Sequence, residues 1–201
     1  MPSLRHPPRR QVRLLVVPGL RNSGPGHWQS WLERQQRGAR RVVQDDWSTP
    51  DLNRWSARIE TTLRAEPESL WLAVAHSFGC VALARHLVDD PDSPIVAAMM
   101  VAPASPARFG LEQAVPEAAL PLPSVLVGSE NDPWMSLEGA RSLARRWGAH
   151  WVSLGLAGHI NAESGHATLP LASAWVRAMR QQLAREQRPE LADWREWSFA
   201  V

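Results

Sequence analysis

The feature that most constrains the fold is the alternation of short apolar runs with segments of helical periodicity along the 201-residue chain. The apolar runs, such as residues 70–75 and 95–101, are continuous, which is typical of strands buried on both faces of a parallel sheet. The segments between them place apolar side chains on one helical face, as in residues 51–64. The sequence therefore predicts an α/β fold, a mainly parallel sheet of about five strands with helices on both faces.

The two ends of the chain differ in composition from this central region. Residues 1–11 are polar and rich in proline, which predicts a flexible N-terminal tail. Residues 12–185 carry the alternating pattern, and residues 186–201 form a charged C-terminal tail with three aromatic side chains. We therefore expect one domain between two tails, long enough to bury a core without disulfides or metal ions.

Composition argues against several classes of function. Because Cys80 is the single cysteine, neither an internal disulfide nor a cysteine-rich metal site can form. The net charge is only +2, and the arginine clusters within residues 37–41 and 141–146 are typical of solvated helix ends, so we expect no nucleic-acid partner. No apolar run approaches the roughly 20 residues that span a bilayer, and Pro18 and Gly19 interrupt the first run. These observations predict a cytoplasmic protein without a membrane partner.

Residues able to carry chemistry follow the ends of three predicted strands. Ligand sites in parallel α/β sheets lie at the carboxyl ends of the strands. Ser77 follows residues 70–75 in a strand–turn–helix pattern that exposes a hydroxyl beside a helix N-terminus. Asp132 follows a predicted strand at 124–127, and His159 follows one at 150–154. The chain order Ser, Asp, His is that of α/β-hydrolase triads.

These residue types predict acyl transfer through a serine nucleophile. A serine hydroxyl needs a base, imidazole has a suitable pKa, and a carboxylate fixes the imidazole tautomer. Two N–H groups must also bind the oxyanion. We expect them from the backbone of Phe78 and from the loop after the first strand, at Leu20 or, as second choice, Arg21. This chemistry requires no cofactor and no metal, and its expected partner is a small-molecule acyl substrate.

Each of these assignments has an alternative in the sequence. Ser77 could serve only as the N-cap of the following helix. Glu130 competes with Asp132 for the role of the acid, and Asp132 could instead belong to a simple Asp-Pro turn, but Asp132 is favoured as the acid. His166 competes with His159, which lies nearer to a strand end and is therefore favoured as the base.

A metal site is a further alternative at the same place. His159, Glu163 and His166 have a spacing that would bring three metal ligands together on a helix. Gly158 and Gly165 argue against a stable helix there, so we expect no metal.

Other residues near the strand ends are candidates for the pocket. His27, Trp28 and Trp134 each lie where a loop meets a helix at the carboxyl edge of the sheet, so they are possible pocket residues. His76 is expected to support the site from behind, and Cys80 to fill space inside a helix rather than act as a nucleophile.

Three groups of motifs carry a family resemblance. They are Val17-Pro18-Gly19-Leu20 with His27-Trp28-Gln29-Ser30-Trp31, Ala75-His76-Ser77-Phe78-Gly79-Cys80, and Asp132-Pro133 with Gly158-His159-Ile160-Asn161-Ala162. Over roughly residues 12–180 the chain resembles the small serine hydrolases typified by retinoblastoma-binding protein nine and bacterial YdeN-type hydrolases. The resemblance implies a compact single-domain α/β-hydrolase fold with a minimal cap and a triad at Ser77, Asp132 and His159. Ala75 replaces the first glycine of Gly-x-Ser-x-Gly.

Two functions follow as hypotheses. The first is a cofactor-independent serine hydrolase, with esterase-like or peptidase-like activity, that works through an acyl-enzyme. The second is a catalytically silent protein-binding module that docks a partner through the irregular residues 103–123 and the tryptophan-bearing tail. Labelling of Ser77 by a fluorophosphonate probe distinguishes them.

Overall fold

The structure, a computed structural model, describes residues 10–186. The predicted tails at residues 1–11 and 186–201 lie outside these residues except at their inner ends. Gln11 begins the first strand and Glu186 ends the last helix.

Six parallel strands form one sheet in the order β2-β1-β3-β4-β5-β6. The sheet has six strands rather than about five, because a two-residue strand pairs with Leu15 and Val16 at one edge. The strands are β1 Gln11–Val17, β2 Arg40–Arg41, β3 Ser69–His76, β4 Ile95–Val101, β5 Ser124–Gly128 and β6 His150–Ser153.

Five α-helices connect or flank these strands. The side chains of Asp51 and Ser136 accept hydrogen bonds from backbone N–H groups in the first turns of α2 and α4, which fixes where these helices begin. The first helix ends at Gln35, because Gln36 leaves the helical conformation. The helices are α1 Trp28–Gln35, α2 Leu52–Arg64, α3 Phe78–Asp89, α4 Leu137–Arg146 and α5 Pro170–Glu186.

Helices cover both faces of the sheet. Successive side chains of a strand point to opposite faces, so Leu15 and Val17 pack with side chains of α2, α3 and α4. Leu14 and Val16 pack on the other face with side chains of α1 and α5. Both faces are therefore apolar, which explains why the strands read as continuous apolar runs.

The segment between β4 and β5 is the expected minimal cap. It contains only two short 3₁₀ turns, Pro106–Phe109 and Glu112–Ala114. Phe109 packs edge-on against Phe78, with the ring centroids 5.2 Å apart, so the cap reaches the start of α3.

Among residues 10–186 no helix is both long and apolar enough to cross a bilayer.

Candidate active site

Ser77 occupies a sharp, strained turn between β3 and α3. Its backbone lies at φ 54° and ψ −127°, a conformation that costs a non-glycine residue about 1–3 kcal/mol. The turn requires close packing, because a Cβ added at Gly79 would lie 2.4 Å from Pro18 O and one at Gly19 would lie 2.7 Å from Ser77 Cβ. Ala75 lies in the buried strand before the turn, and the sheet accommodates its methyl group.

The structure brings the three predicted chemical groups into one hydrogen-bonded chain. Ser77 Oγ lies 2.9 Å from His159 Nε2, and His159 Nδ1 lies 2.9 Å from Asp132 Oδ2 and 3.0 Å from its Oδ1. The carboxylate can only accept, so Nδ1 carries the proton and Nε2 is left to accept from the serine hydroxyl. The Asp132 side chain is 2% exposed and that of His159 is 9% exposed, so water screens the pair poorly.

The two residues that compete for the roles of acid and base lie apart from this hydrogen-bonded triad. Glu130 is exposed, and its carboxylate accepts a hydrogen bond from Ser153 Oγ. His166 lies against Ser164 Oγ at 3.2 Å. Residues 158–166 form turns instead of a helix, so the spacing needed for three metal ligands does not arise. No cluster of three metal-ligating side chains is found in the part of the chain that the structure describes.

Two backbone N–H groups near Ser77 are available as donors. The amides of Phe78 and Leu20 have no hydrogen-bond acceptor within residues 10–186. The N–H of Arg21 donates to Trp47 O at 2.8 Å, so it is occupied. The geometry therefore favours Leu20 over Arg21 as the second oxyanion donor, and the N-terminus of α3 adds a positive field.

A cavity of about 490 Å³ opens above Ser77. The predicted pocket residues His27 and Trp134 line it, together with Leu20 and Phe109. Trp28 does not, which corrects the prediction. Its side chain is fully buried on the apolar face of α1, and its N–H donates to the carbonyl of Ile160 at 2.9 Å. Trp28 thus anchors the segment next to His159 instead of contacting a ligand.

Three imidazole rings lie side by side beneath the cavity. The ring of His76 lies 4.7 Å from that of His27 and 4.9 Å from that of His159, between centroids. His76 Nε2 donates to His159 O at 3.0 Å, which supports the segment that carries the expected base. Burial lowers the pKa of His27 to about 4 and that of His76 well below its ordinary value. Both rings are therefore neutral near pH 7 and place no cation beside His159.

The buried state of His27 predicts an acid-sensitive fold. In the unfolded chain His27 binds a proton near pH 6.5, whereas in the folded chain it does so only near pH 4. The unfolded state thus binds more protons between these pH values, so stability falls as the pH is lowered through this window. We expect His27 to contribute a loss of about 3 kcal/mol at pH 4 relative to pH 7.

Urea unfolding at pH 7 and pH 4 measures this loss. The His27 side chain accepts a hydrogen bond from Gln29 N as the N-cap of α1, a role that asparagine can also perform. His27→Asn should therefore fold and lose less stability between the two pH values than the wild type. An equal loss in both proteins would show that His27 is not the buried group responsible.

Cys80 lies three residues after Ser77 but takes no part in the site. It is fully buried in α3, where burial raises the pKa of its thiol. A thiol that stays protonated is a poor nucleophile, in agreement with its expected role as a space-filling residue.

Gln29 is a buried polar residue that the sequence alone does not mark as functional. Its side chain amide bonds to backbone carbonyls in β1 and β3 and to Ser23 in the loop that carries Leu20. The one local signal is a polar residue beside Trp28 near the buried start of α1. That signal is too common to identify a functional residue.

Comparison with known proteins agrees with this architecture. A family model described as serine hydrolase matches residues 14–178. Among curated proteins, no sequence matches this chain. Two solved structures show the fold at low identity. The ydeN gene product of B. subtilis is 18% identical, with a TM-score of 0.66, over 85% of this chain and 98% of that one. Est1E of Butyrivibrio proteoclasticus, bound to ferulic acid, is 12% identical, with a TM-score of 0.67, over 88% and 91%.

A third structure is similar in sequence as well. It is a YdeN-like hydrolase of Pectobacterium atrosepticum, 36% identical to this chain, with a TM-score of 0.74. The similarity covers 78% of this chain and 83% of that one. Together with the family match over most of the domain, this similarity identifies the chain as a member of the serine hydrolase family.

Proposed function

We propose that this protein hydrolyses esters, thioesters or amides through an acyl-enzyme on Ser77, without a cofactor. The observation that carries the proposal is the continuous hydrogen-bonded chain from Ser77 Oγ through His159 to Asp132 at the base of a cavity. Membership of the serine hydrolase family and the strained turn at Ser77 support it further.

In the first half of the reaction Ser77 Oγ attacks the carbonyl carbon of the substrate. His159 Nε2 takes the hydroxyl proton as the new C–O bond forms, and the Asp132 carboxylate stabilises the resulting imidazolium. The N–H groups of Leu20 and Phe78 donate to the oxygen that becomes negative. The tetrahedral species then collapses, and the leaving group departs with the proton from His159.

In the second half a water molecule attacks the acyl group on Ser77. His159 Nε2 takes a proton from the water, and the same two N–H groups hold the second oxyanion. Breakage of the bond to Ser77 releases a carboxylic acid, and the proton returns to the serine oxygen. Apart from the substrate and this water molecule, every group that acts in the two halves belongs to the chain itself.

The cavity supports a small-molecule acyl substrate. A volume of about 490 Å³ falls within the usual range of small-molecule sites. Leu20, Phe109 and Trp134 offer apolar surface, whereas Asn161 offers polar groups. This mixture suits an acyl compound with a short apolar part.

Labelling with a fluorophosphonate probe tests the proposal. We expect the wild type to label at one residue and Ser77→Ala not to label. Ser48 is a matched control, because it lines the same cavity and its hydroxyl donates to Asp46 and not to an imidazole. Ser48→Ala should therefore label like the wild type. A folded wild-type protein that does not label would favour the alternative of a catalytically silent binding module.

A further inference from the structure

One buried amide connects the loop of the expected oxyanion donor to the strand that leads to Ser77. Gln29 is 0% exposed. Its Nε2 donates to Val17 O at 3.1 Å and to Val74 O at 3.0 Å, and its Oε1 accepts from Ser23 Oγ at 2.6 Å. The end of β1, the loop that follows it and the distant strand β3 therefore meet on a single side chain.

The loop that Gln29 contacts contains two non-glycine residues in the left-handed region. Arg21 and Asn22, directly after Leu20, adopt φ values of 63° and 62°. Such left-handed conformations cost non-glycine residues about 1–3 kcal/mol each, so they persist only where surrounding contacts enforce them. The Gln29 side chain hydrogen-bonds to Val17, directly before the loop, and to Ser23, directly after the strained pair.

Two other side chains also hold the loop, but neither reaches β3. Arg41 donates to Asn22 Oδ1 and to Ser23 O, each at 2.8 Å, and Ser30 Oγ donates to Ser23 O at 2.7 Å. These contacts tie the loop to β2 and α1. Gln29 adds the bond to Val74, in the strand that ends at the Ser77 turn.

We propose that Gln29 is a positioning residue that sets the distance between the two oxyanion donors, Leu20 N–H and Phe78 N–H. The inference rests on the proposed function, because it assigns a role within the same reaction. Oxyanion donors act at about 2.7–3.1 Å from the charged oxygen. A displacement of about 1 Å can cost about 100-fold in rate, so a side chain that fixes the loop against β3 controls the reaction without touching the substrate.

Gln29→Met tests this role, because methionine has a similar shape and removes all three hydrogen bonds. We expect kcat to fall by about 10- to 100-fold while KM changes by less than about threefold. Affinity for phenylboronic acid, which forms a tetrahedral adduct with a reactive serine, should fall by a similar factor. Gln44→Met is a matched control, because Gln44 is also buried but its Nε2 has no partner in the described chain. It should leave kcat unchanged.

A milder variant and a structural readout complete the test. Ser23→Ala removes only the 2.6 Å bond and should fold even where Gln29→Met does not. Amide hydrogen exchange of residues 19–24 should be faster in both variants than in Gln44→Met. Wild-type exchange and wild-type kcat in the folded variants would overturn the inference, as would an equal loss of kcat in Gln44→Met. Labelling of the wild type at Ser77 in the same series separates such a result from failure of the proposed function.

Discussion

Replacement of His159 by alanine is expected to lower kcat/KM by about 10⁴- to 10⁶-fold. The variant removes the imidazole nitrogen 2.9 Å from Ser77 Oγ, so the hydroxyl has no base during attack. His76 is the nearest other imidazole to His159, but it cannot take over. Its Nε2 proton is donated to the carbonyl of residue 159, and burial holds the pKa of its ring far below neutrality.

Initial rates of hydrolysis of a short-chain aryl ester measure this effect. The His159→Ala backbone keeps the carbonyl that accepts from His76, so thermal unfolding should show a folded protein. His166→Ala is the control, because His166 contacts Ser164 and not Ser77. It should retain activity close to that of the wild type. If His159→Ala kept its activity and His166→Ala lost it, His166 and not His159 would be the general base.

The fold and the turn at Ser77 could be predicted because their signals are local. A buried parallel strand needs apolar side chains on both faces, so it appears as a continuous run in the sequence. A sharp turn packed against its neighbours needs small residues, and Gly79 indeed has Pro18 O within 2.4 Å of where a Cβ would lie. The N-caps of α2 and α4 were predictable for the same reason, since Asp51 and Ser136 act within their own first turns.

The parts that could not be predicted depend on contacts between distant segments. The partners of Gln29 come from β1, β3 and the intervening loop, and no spacing in the sequence encodes such a meeting. Trp28 lies at the expected edge of the sheet, but the rotation of α1 directs its ring into the core. The choice of Leu20 over Arg21 likewise rests on a hydrogen bond from Arg21 to Trp47 in a separate loop.

Replacement of Asp132 by asparagine is expected to lower kcat by about 10⁴-fold with little change in KM. The physical reason is that the Asp132 carboxylate makes a second hydrogen bond in addition to the one with His159. Asp132 Oδ1 accepts from the backbone N–H of Trp134 at 2.8 Å, while Oδ2 faces His159 Nδ1 at 2.9 Å. An asparagine that keeps its oxygen toward Trp134 must turn its NH₂ group toward Nδ1. The ring would then carry its proton on Nε2, where it could no longer accept one from Ser77.

Steady-state kinetics against the wild type and Glu130→Gln check this expectation. Glu130 is the neighbouring carboxylate, and its change to glutamine should leave kcat unchanged because it contacts Ser153 and not the imidazole. The pH profile gives a further readout, since a ring held in the wrong tautomer loses activity at every pH near neutrality. Full activity in Asp132→Asn, or an equal loss in Glu130→Gln, would mean that the tautomer of His159 does not depend on Asp132.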